Sequence, residues 1–327
     1  MRDGYGRVID YLRISVTDRC NFRCRYCMPP EGVDLLEASE ILSYEELLRV
    51  ITILGKHGVS KIRLTGGEPL VRKGMVDFIR NIRAIGTVKD LAMTTNGSLL
   101  GDVAHQLKRA GLDRVNISID TMNPQKFTYI TGRKGNVEEV LQGIESGIEA
   151  GLTPIKLNVV VTEVLSEEDV FYFVDRVHKI PIAVRFIEYM PVGHWGVRPG
   201  SSISDIKAMI NKAGHGSLEA AQALRGNGPA VYYRLPEALG LFGFITPMTD
   251  HFCQSCNRIR LTADGKIKPC LLANDEIDSR AALRGRGSDK GIYELFLKAL
   301  QAKPIRHRLG GTREGEELKR SMFQVGG

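Results

Sequence analysis

Six short stretches of this chain alternate apolar with polar residues, and the segments between them repeat apolar residues at helical spacing. The alternating stretches are 11–17 (YLRISVT), 61–65 (KIRLT), 91–95 (LAMTT), 114–120 (RVNISID), 155–161 (IKLNVVV) and 183–189 (AVRFIEY). Helical spacing is read for 74–84, 99–110, 136–150 and Ser166 to Lys179, while Ser43 and Glu46 form a capping box ahead of Leu47, Ile51 and Leu54. Strands separated by helices argue parallel βαβ units, hence an α/β fold. Six strands fall short of the eight that close a full barrel. The expected architecture is an incomplete (β/α)6 TIM-like barrel, with a doubly wound open sheet as the alternative.

The parity of the strands says more than their number. Leu12, Ile14 and Val16 alternate with Arg13 and Ser15; Ile62 and Leu64 with Lys61, Arg63 and Thr65; Val115, Ile117 and Ile119 with Asn116, Ser118 and Asp120; Leu157 and Val159 with Lys156 and Asn158. Successive strand side chains face opposite ways, so one face is apolar and the other strongly polar. A parallel sheet buried on both faces reads as continuous apolar runs instead. With helices over the apolar face, the polar face must line a cavity, because unpaired charges in a dry interior are prohibitive. An antiparallel sheet with one wet face would alternate in the same way, but the intervening helices count against it. A cavity floored by Arg and Lys suits a polyanionic small molecule better than a duplex. No GxxxxGK[ST] segment occurs, so a nucleotide is not held in the P-loop manner.

All six cysteines fall into two groups of three: Cys20, Cys24 and Cys27, then Cys253, Cys256 and Cys270. At 327 residues the chain buries a core without disulfide staples, and clustered thiols point to metal. Three thiolates on a four-iron cube leave one iron open. A redox CxxC pair, a zinc knuckle and a disulfide are the alternatives. The full CNFRCRYC pattern, CxxxCxxC with an aromatic before the third Cys, resembles the signature of the radical S-adenosylmethionine (SAM) enzymes. In that family the open iron chelates SAM, and an electron from the cluster gives a 5′-deoxyadenosyl radical. Thr65-Gly66-Gly67-Glu68-Pro69, at the end of the second strand, reads as a turn whose paired glycines let a ligand approach backbone amides. It resembles the GGEP segment that contacts the SAM amino group. Thr94 and Asn96, Ser118 and Asp120, and Met190 end the third, fourth and sixth strands, where parallel folds gather ligand groups.

Residues 191–230 read as a connector with a helix near 203–213. Beyond it VYYRL, FGFIT and RIRLTADGKIKPCLL read as short antiparallel strands with a tight turn at Asp264-Gly265. This segment carries the second cysteine group, and parity puts Arg258 and Arg260 on one strand face. His251 beside three Cys leaves a zinc site open as a reading; a second cluster is the sharper one.

The two motifs CNFRCRYCMP (20–29) and HFCQSCNRIRLTADGKIKPCL (251–271) together resemble one family within the radical SAM superfamily, the GTP 3′,8-cyclases, and the likeness runs from residue 11 to Gly326-Gly327 except about 195–245. The resemblance implies a radical SAM barrel over 1–195 and a C-terminal α+β extension, 196–327, closing the barrel mouth. It implies a lyase that converts GTP to (8S)-3′,8-cyclo-7,8-dihydroguanosine 5′-triphosphate in the first step of molybdenum cofactor biosynthesis. Two [4Fe–4S] clusters, on Cys20, Cys24 and Cys27 and on Cys253, Cys256 and Cys270, are implied, with SAM on the first and the purine of GTP at the open iron of the second. Carried over residue by residue, Tyr26, Gly67, Ser118 and Met190 line the SAM pocket. Arg13, Arg63, Thr94, Lys156, Arg258, Ile259 and Arg260 surround GTP, with Arg185 beside them, and the Gly326-Gly327 tail enters the active site. Also implied are an electron donor of flavodoxin or ferredoxin type, a homodimer and delivery of product to cyclic pyranopterin monophosphate synthase.

The start MRDGYGRVIDYL lacks an apolar signal core and no later run approaches a membrane span, which reads as cytoplasmic. A net charge of +7 and a pI near 9.1 favour anionic partners. A zinc-stabilised nucleic-acid module would share that charge, but no aromatic-interleaved basic patch accompanies it. A peptide-modifying radical SAM enzyme would usually carry more C-terminal cysteines than three.

Overall fold

A computed structural model describes residues 1–29, 33–132, 136–192, 196–213, 216–222, 228–285, 287–307 and 318–326. The first half alternates strand and helix: β1 (Tyr11–Ser15), α1 (Tyr44–Lys56), β2 (Lys61–Thr65), α2 (Met75–Ala84), β3 (Asp90–Thr95), α3 (Ala104–Ala110), β4 (Arg114–Ser118), α4 (Pro124–Thr131), α5 (Val137–Glu149), β5 (Lys156–Val161), α6 (Glu167–Lys179) and β6 (Ala183–Glu188). Local chemistry sets the helix starts. Ser43 and Ser166 close capping boxes on α1 and α6, and Asn123 and Asn136 cap α4 and α5. The helix expected over 99–110 begins at Ala104, and α4 is an additional element that the spacing did not announce.

The C-terminal part adds α7 (Ile203–Lys212), β7 (Glu219–Ala221), β8 (Val231–Arg234), β9 (Leu241–Ile245), β10 (Arg258–Leu261), β11 (Lys266–Lys268), β12 (Ile277–Asp278), α8 (Arg280–Arg284), α9 (Asp289–Gln301) and α10 (Met322–Val325). Among the described residues twelve strands join one sheet in the order β12-β11-β10-β1-β2-β3-β4-β5-β6-β9-β8-β7. β1 to β6 are parallel neighbours in sequence order, as expected. The expectation of antiparallel C-terminal strands needs correction. β10 pairs parallel with β1, and β9 parallel with β6, so the extension contributes the seventh and eighth parallel strands. Among the described residues the antiparallel pairings are β7 with β8, β8 with β9, β10 with β11, and β11 with β12. The Asp264-Gly265 turn joins β10 to β11, with Gly265 at φ +82°.

The sheet is an incomplete, TIM-like barrel whose ends are not closed by hydrogen bonds. Five strand steps separate β1 from β6, roughly 24 Å if the sheet were flat. Yet Arg185 on β6 feels the charges of Arg63 on β2 and Tyr11 on β1, and Lys156 on β5 lies 5.8 Å from the ring centre of Tyr232 on β8. The polar face is therefore concave. Leu12, Ile14, Ile62, Leu64, Val115, Ile117, Leu157 and Val159 are buried on the other face in a core shared with the helices. Among the described residues no helix is long and apolar enough to cross a membrane.

Candidate active site

The loop after β1 carries Cys20, Cys24 and Cys27, all free thiols and partly buried. Its entry is stitched to the end of β2: Gly67 N donates to Thr17 O and Glu68 N to Arg19 O, both at 2.8 Å. This changes the meaning of the glycine pair. A Cβ on Gly67 would collide with the backbone of Asp18 and Arg19, so the glycine is required by the approach of the cysteine loop, and its amide is taken. Glu68 is 1% exposed, and its carboxylate accepts from Thr95 Oγ1 (2.8 Å), Asn96 N (2.7 Å) and Leu70 N (3.0 Å). Burial raises its pKa to about 7. Asn96 passes the hold onward, donating to Asn21 Oδ1 at 2.7 Å and lying 3.9 Å from Cys20 Sγ. On the far side Arg23 N and Arg25 N donate to the carbonyls of Thr131 and Ile130, and Phe22 packs edge-on against Phe127. The unannounced α4 is thus the outer support of the loop.

Tyr26 donates to Asp120 Oδ2 at 2.8 Å, while Val160 N donates to Asp120 Oδ1. Buried Asp120 has its pKa raised to about 6. Ser118 ends β4 two residues earlier, in register with Asn158. Met190 lies just beyond β6, partly buried; its neighbour Tyr189, not Met190, packs in the small cluster that Tyr26 covers.

The concave face carries three rows fixed by strand register. Arg260, Arg13 and Arg63 lie side by side across β10, β1 and β2; Thr94, Asn116 and Lys156 across β3 to β5; Ser118, Asn158 and Arg185 across β4 to β6. Arg63 donates to Tyr11 Oη and, at 3.3 Å, to Thr94 Oγ1; Arg185 Nε donates to Asn158 Oδ1 at 2.9 Å. Burial comes first among the influences that hold Arg13, Lys156, Arg185 and Arg260 below their usual ranges, and neighbouring cations add to it. Arg13 is held well down by burial, then Arg260, Arg63 and Arg258; Lys156 comes to about 7 by burial, then Arg185, Arg114 and Arg63. Arg258 faces a cavity of about 300 Å³ beside Cys256 and Phe252. Ile259 does not join them: opposite Leu12 in register, its side chain is fully buried in the core on the other face.

The second triad sits at the chamber's other rim. Cys253 lies in a short 3-10 turn, Phe252–Ser255, just before Cys256, and Cys270 follows β11. Burial alone would raise the Cys256 thiol, but Arg258 and Lys303 outweigh it and bring it down to about 6. His251 gives Nδ1–H to the Pro247 carbonyl at 2.7 Å and stands edge-on to His307. The C-terminal residues run from the first triad to the arginines of β1 and β10. The Phe323 amide bonds to Cys27, and the Gly326 carbonyl accepts from Arg260 Nη1 at 2.5 Å and Arg13 Nη2 at 3.5 Å. Gly327 lies outside the described residues.

Each triad offers thiols alone, without a disulfide among them. Among the described residues no three His, Cys, Asp or Glu side chains close around a point for a single ion. A cube instead spreads its thiolates over separate irons. The buried first thiols need a cation to ionise, and the second triad has fixed cations beside it, so both donor sets fit such clusters.

This arrangement of a parallel barrel, a three-thiol loop and a polar lumen is that of a radical SAM enzyme. The family model described as Radical SAM superfamily matches residues 14–177, and that described as Molybdenum Cofactor Synthesis C matches 182–309. The chain is 46% identical over 330 residues to a GTP 3′,8-cyclase of Syntrophomonas wolfei subsp. wolfei and 45% identical over 329 to one of Heliobacterium modesticaldum, covering all of both chains in each case. The chain belongs to the GTP 3′,8-cyclase family. Its fold also resembles that of Streptococcus suis SuiB bound to precursor peptide SuiA, with TM-score 0.64 at 14% identity over 97% of this chain and 76% of that one.

Proposed function

We propose that this chain converts GTP to (8S)-3′,8-cyclo-7,8-dihydroguanosine 5′-triphosphate, the lyase reaction that opens molybdenum cofactor biosynthesis. The observation that carries the reading is the buried cationic wall. Arg13, Arg63, Lys156, Arg185 and Arg260 crowd one concave face, and a triphosphate would relieve their repulsion through charge-assisted bonds. Cys20, Cys24 and Cys27 would hold the first [4Fe–4S] cluster, with Tyr26, Gly67, Ser118 and Met190 around SAM. Cys253, Cys256 and Cys270 would hold the second, dividing labour between 1–195 and 196–327. When bound, SAM on the first cluster supplies the radical that takes the 3′ hydrogen of GTP.

The chain's own work is placement. Arg13, Arg63, Thr94, Lys156, Arg258 and Arg260 fix the nucleotide between the rims, and the core-facing side chain of Ile259 leaves only its backbone for that purpose. Tyr26 and Asp120 tie the cysteine loop to the end of β4, and the tail at Gly326 covers the wall. An electron donor of flavodoxin or ferredoxin type, a homodimer, a cytoplasmic setting and transfer of product to cyclic pyranopterin monophosphate synthase complete the reading. Anaerobic reconstitution with iron counting, then incubation with SAM, reductant and GTP, tests it. The cyclised nucleotide is expected; GTP recovered unchanged beside cleaved SAM overturns it.

A further inference from the structure

Lys303, just past α9, is 3% exposed, and among the described residues its ammonium meets two carbonyls and no carboxylate. It donates to Arg258 O at 2.9 Å, two residues after Cys256, and to Pro269 O at 2.6 Å, the residue before Cys270. Arg7 supplies the third tie. Its Nη1 donates to the carbonyl of Cys253 at 2.7 Å, and its guanidinium also reaches Pro304 O (2.8 Å) and Ile305 O (3.1 Å), the residues directly after Lys303. Arg7 is itself held by Asp3 at 2.5 Å. Every chain segment bearing a thiol of the second triad is therefore gripped by a cation from outside the motif, and the two cations are joined through 303–305.

A buried ammonium without a carboxylate is costly unless an anion faces it. The thiols near enough to act on Lys303 are Cys256 and Cys270, which would carry the opposing charge as cluster ligands, while Arg7 and Arg258 repel it. We propose that Lys303, assisted by Arg7, is the positioning residue of the second iron–sulfur centre: it presets the backbone carrying Cys256 and Cys270 and supplies the counter-charge for their thiolates. The inference rests on reading Cys253, Cys256 and Cys270 as cluster ligands.

The test uses the full chain, reconstituted anaerobically, as wild type, Lys303→Met, Lys303→Arg and Arg7→Gln. Iron and sulfide per chain, the midpoint potential of the second centre by paramagnetic resonance, and SAM cleavage are read together. Lys303→Met is expected to keep SAM cleavage, lose up to half of the iron, and yield the second centre to a chelator about 10–100-fold more readily. What remains of that centre titrates at a more negative potential, because a nearby positive charge that favours the added electron is gone. Lys303→Arg restores the iron. If Lys303→Met does not fold, Arg7→Gln must show the same selective loss. Wild-type iron and an unchanged potential in Lys303→Met or, failing its folding, in Arg7→Gln overturn the proposal. Wild type holding a single cluster overturns the underlying reading of the second triad, and this inference with it.

Discussion

The two thiol triads have the same donors and opposite surroundings. The first is held mostly by backbone amides and the Asn96 side chain, and its buried neighbours are acids. Its one cationic tie to a cysteine carbonyl among the described residues is the motif's own exposed Arg23 on Cys20 O. Cys20 is pushed up to about 11 by burial and then Glu68, Cys24 is raised well beyond its usual range by burial and its fellow thiols, and Cys27 reaches about 12 through burial and Cys20. The second is gripped by Arg7 and Lys303, and Cys256 falls to about 6 despite its burial. A shared ligand set thus conceals two electrostatic designs. Iron held at the first site would supply the positive charge its thiols lack; at the second, Arg258 and Lys303 already bring Cys256 down, and cationic side chains continue along Arg260 and Arg13 into the wall assigned to GTP.

The largest expected effect separates the two sites outright. Cys24→Ala should reduce SAM cleavage to background, whereas Cys253→Ala should remove one cluster, spare SAM cleavage and abolish cyclisation. Iron counts and chromatography of 5′-deoxyadenosine and nucleotide products decide this, and loss of both clusters in Cys253→Ala would break the division. Next comes the segment that links the first triad to the arginine wall. Removing Gly326-Gly327 takes away the carbonyl on Arg13 and Arg260. Both clusters should survive while turnover falls about 100-fold, the scale of a small misplacement of reacting groups. An unimpaired deletion variant would count against a role for the tail.

A smaller effect probes how the first loop is seated. Gly67→Ala drives a Cβ into the backbone of Asp18 and Arg19, and overpacking of this kind costs about 1–3 kcal/mol. The melting temperature of the metal-free chain should fall, and on reconstitution the first cluster should suffer more than the second. Equal loss from both would mean that the triads are not independently supported.

The alternation of Arg13 with Leu12 and Ile14, or of Lys156 with Leu157, makes the concave polar face legible in the sequence alone, because side-chain parity in a strand is local. Strand direction is not. Nothing in LFGFI or RIRL says that they run parallel to β6 and β1, since pairing across more than 200 residues, as between Leu12 and Ile259, is settled by packing. The side chain of Ile259 could have been sent to the core by the same parity that put Arg258 and Arg260 in the chamber. Lys303 and Arg7 carry no signal, for a cation that binds main-chain carbonyls needs no motif around it. The Asn123-Pro124 start of α4 is a readable cap and N1 pair, obscured by the weak apolar repeat of so short a helix.

The smallest effect asks how far the cationic design reaches from the second triad. Lys156, on β5 and four strands along the sheet from the Arg13 strand, is lowered to about 7 from an ordinary 10.5 by burial and then by Arg185, Arg114 and Arg63. Below about pH 7 it is already charged in the empty chain. Between about 7 and 10.5 it is neutral when folded and charged when unfolded, so its share of stability rises with pH across that window. A bound triphosphate favours the ammonium, so nucleotide binding in the same window should take up a proton and weaken by up to about tenfold per pH unit as pH rises. Calorimetry of GTP binding without reductant, in buffers of different ionisation heat, reads that proton directly. Lys156→Met should bind more weakly near pH 7 and show a shallower pH slope; a slope unchanged by the substitution would remove Lys156 from the nucleotide wall and confine the cationic field to the rim beside Arg258.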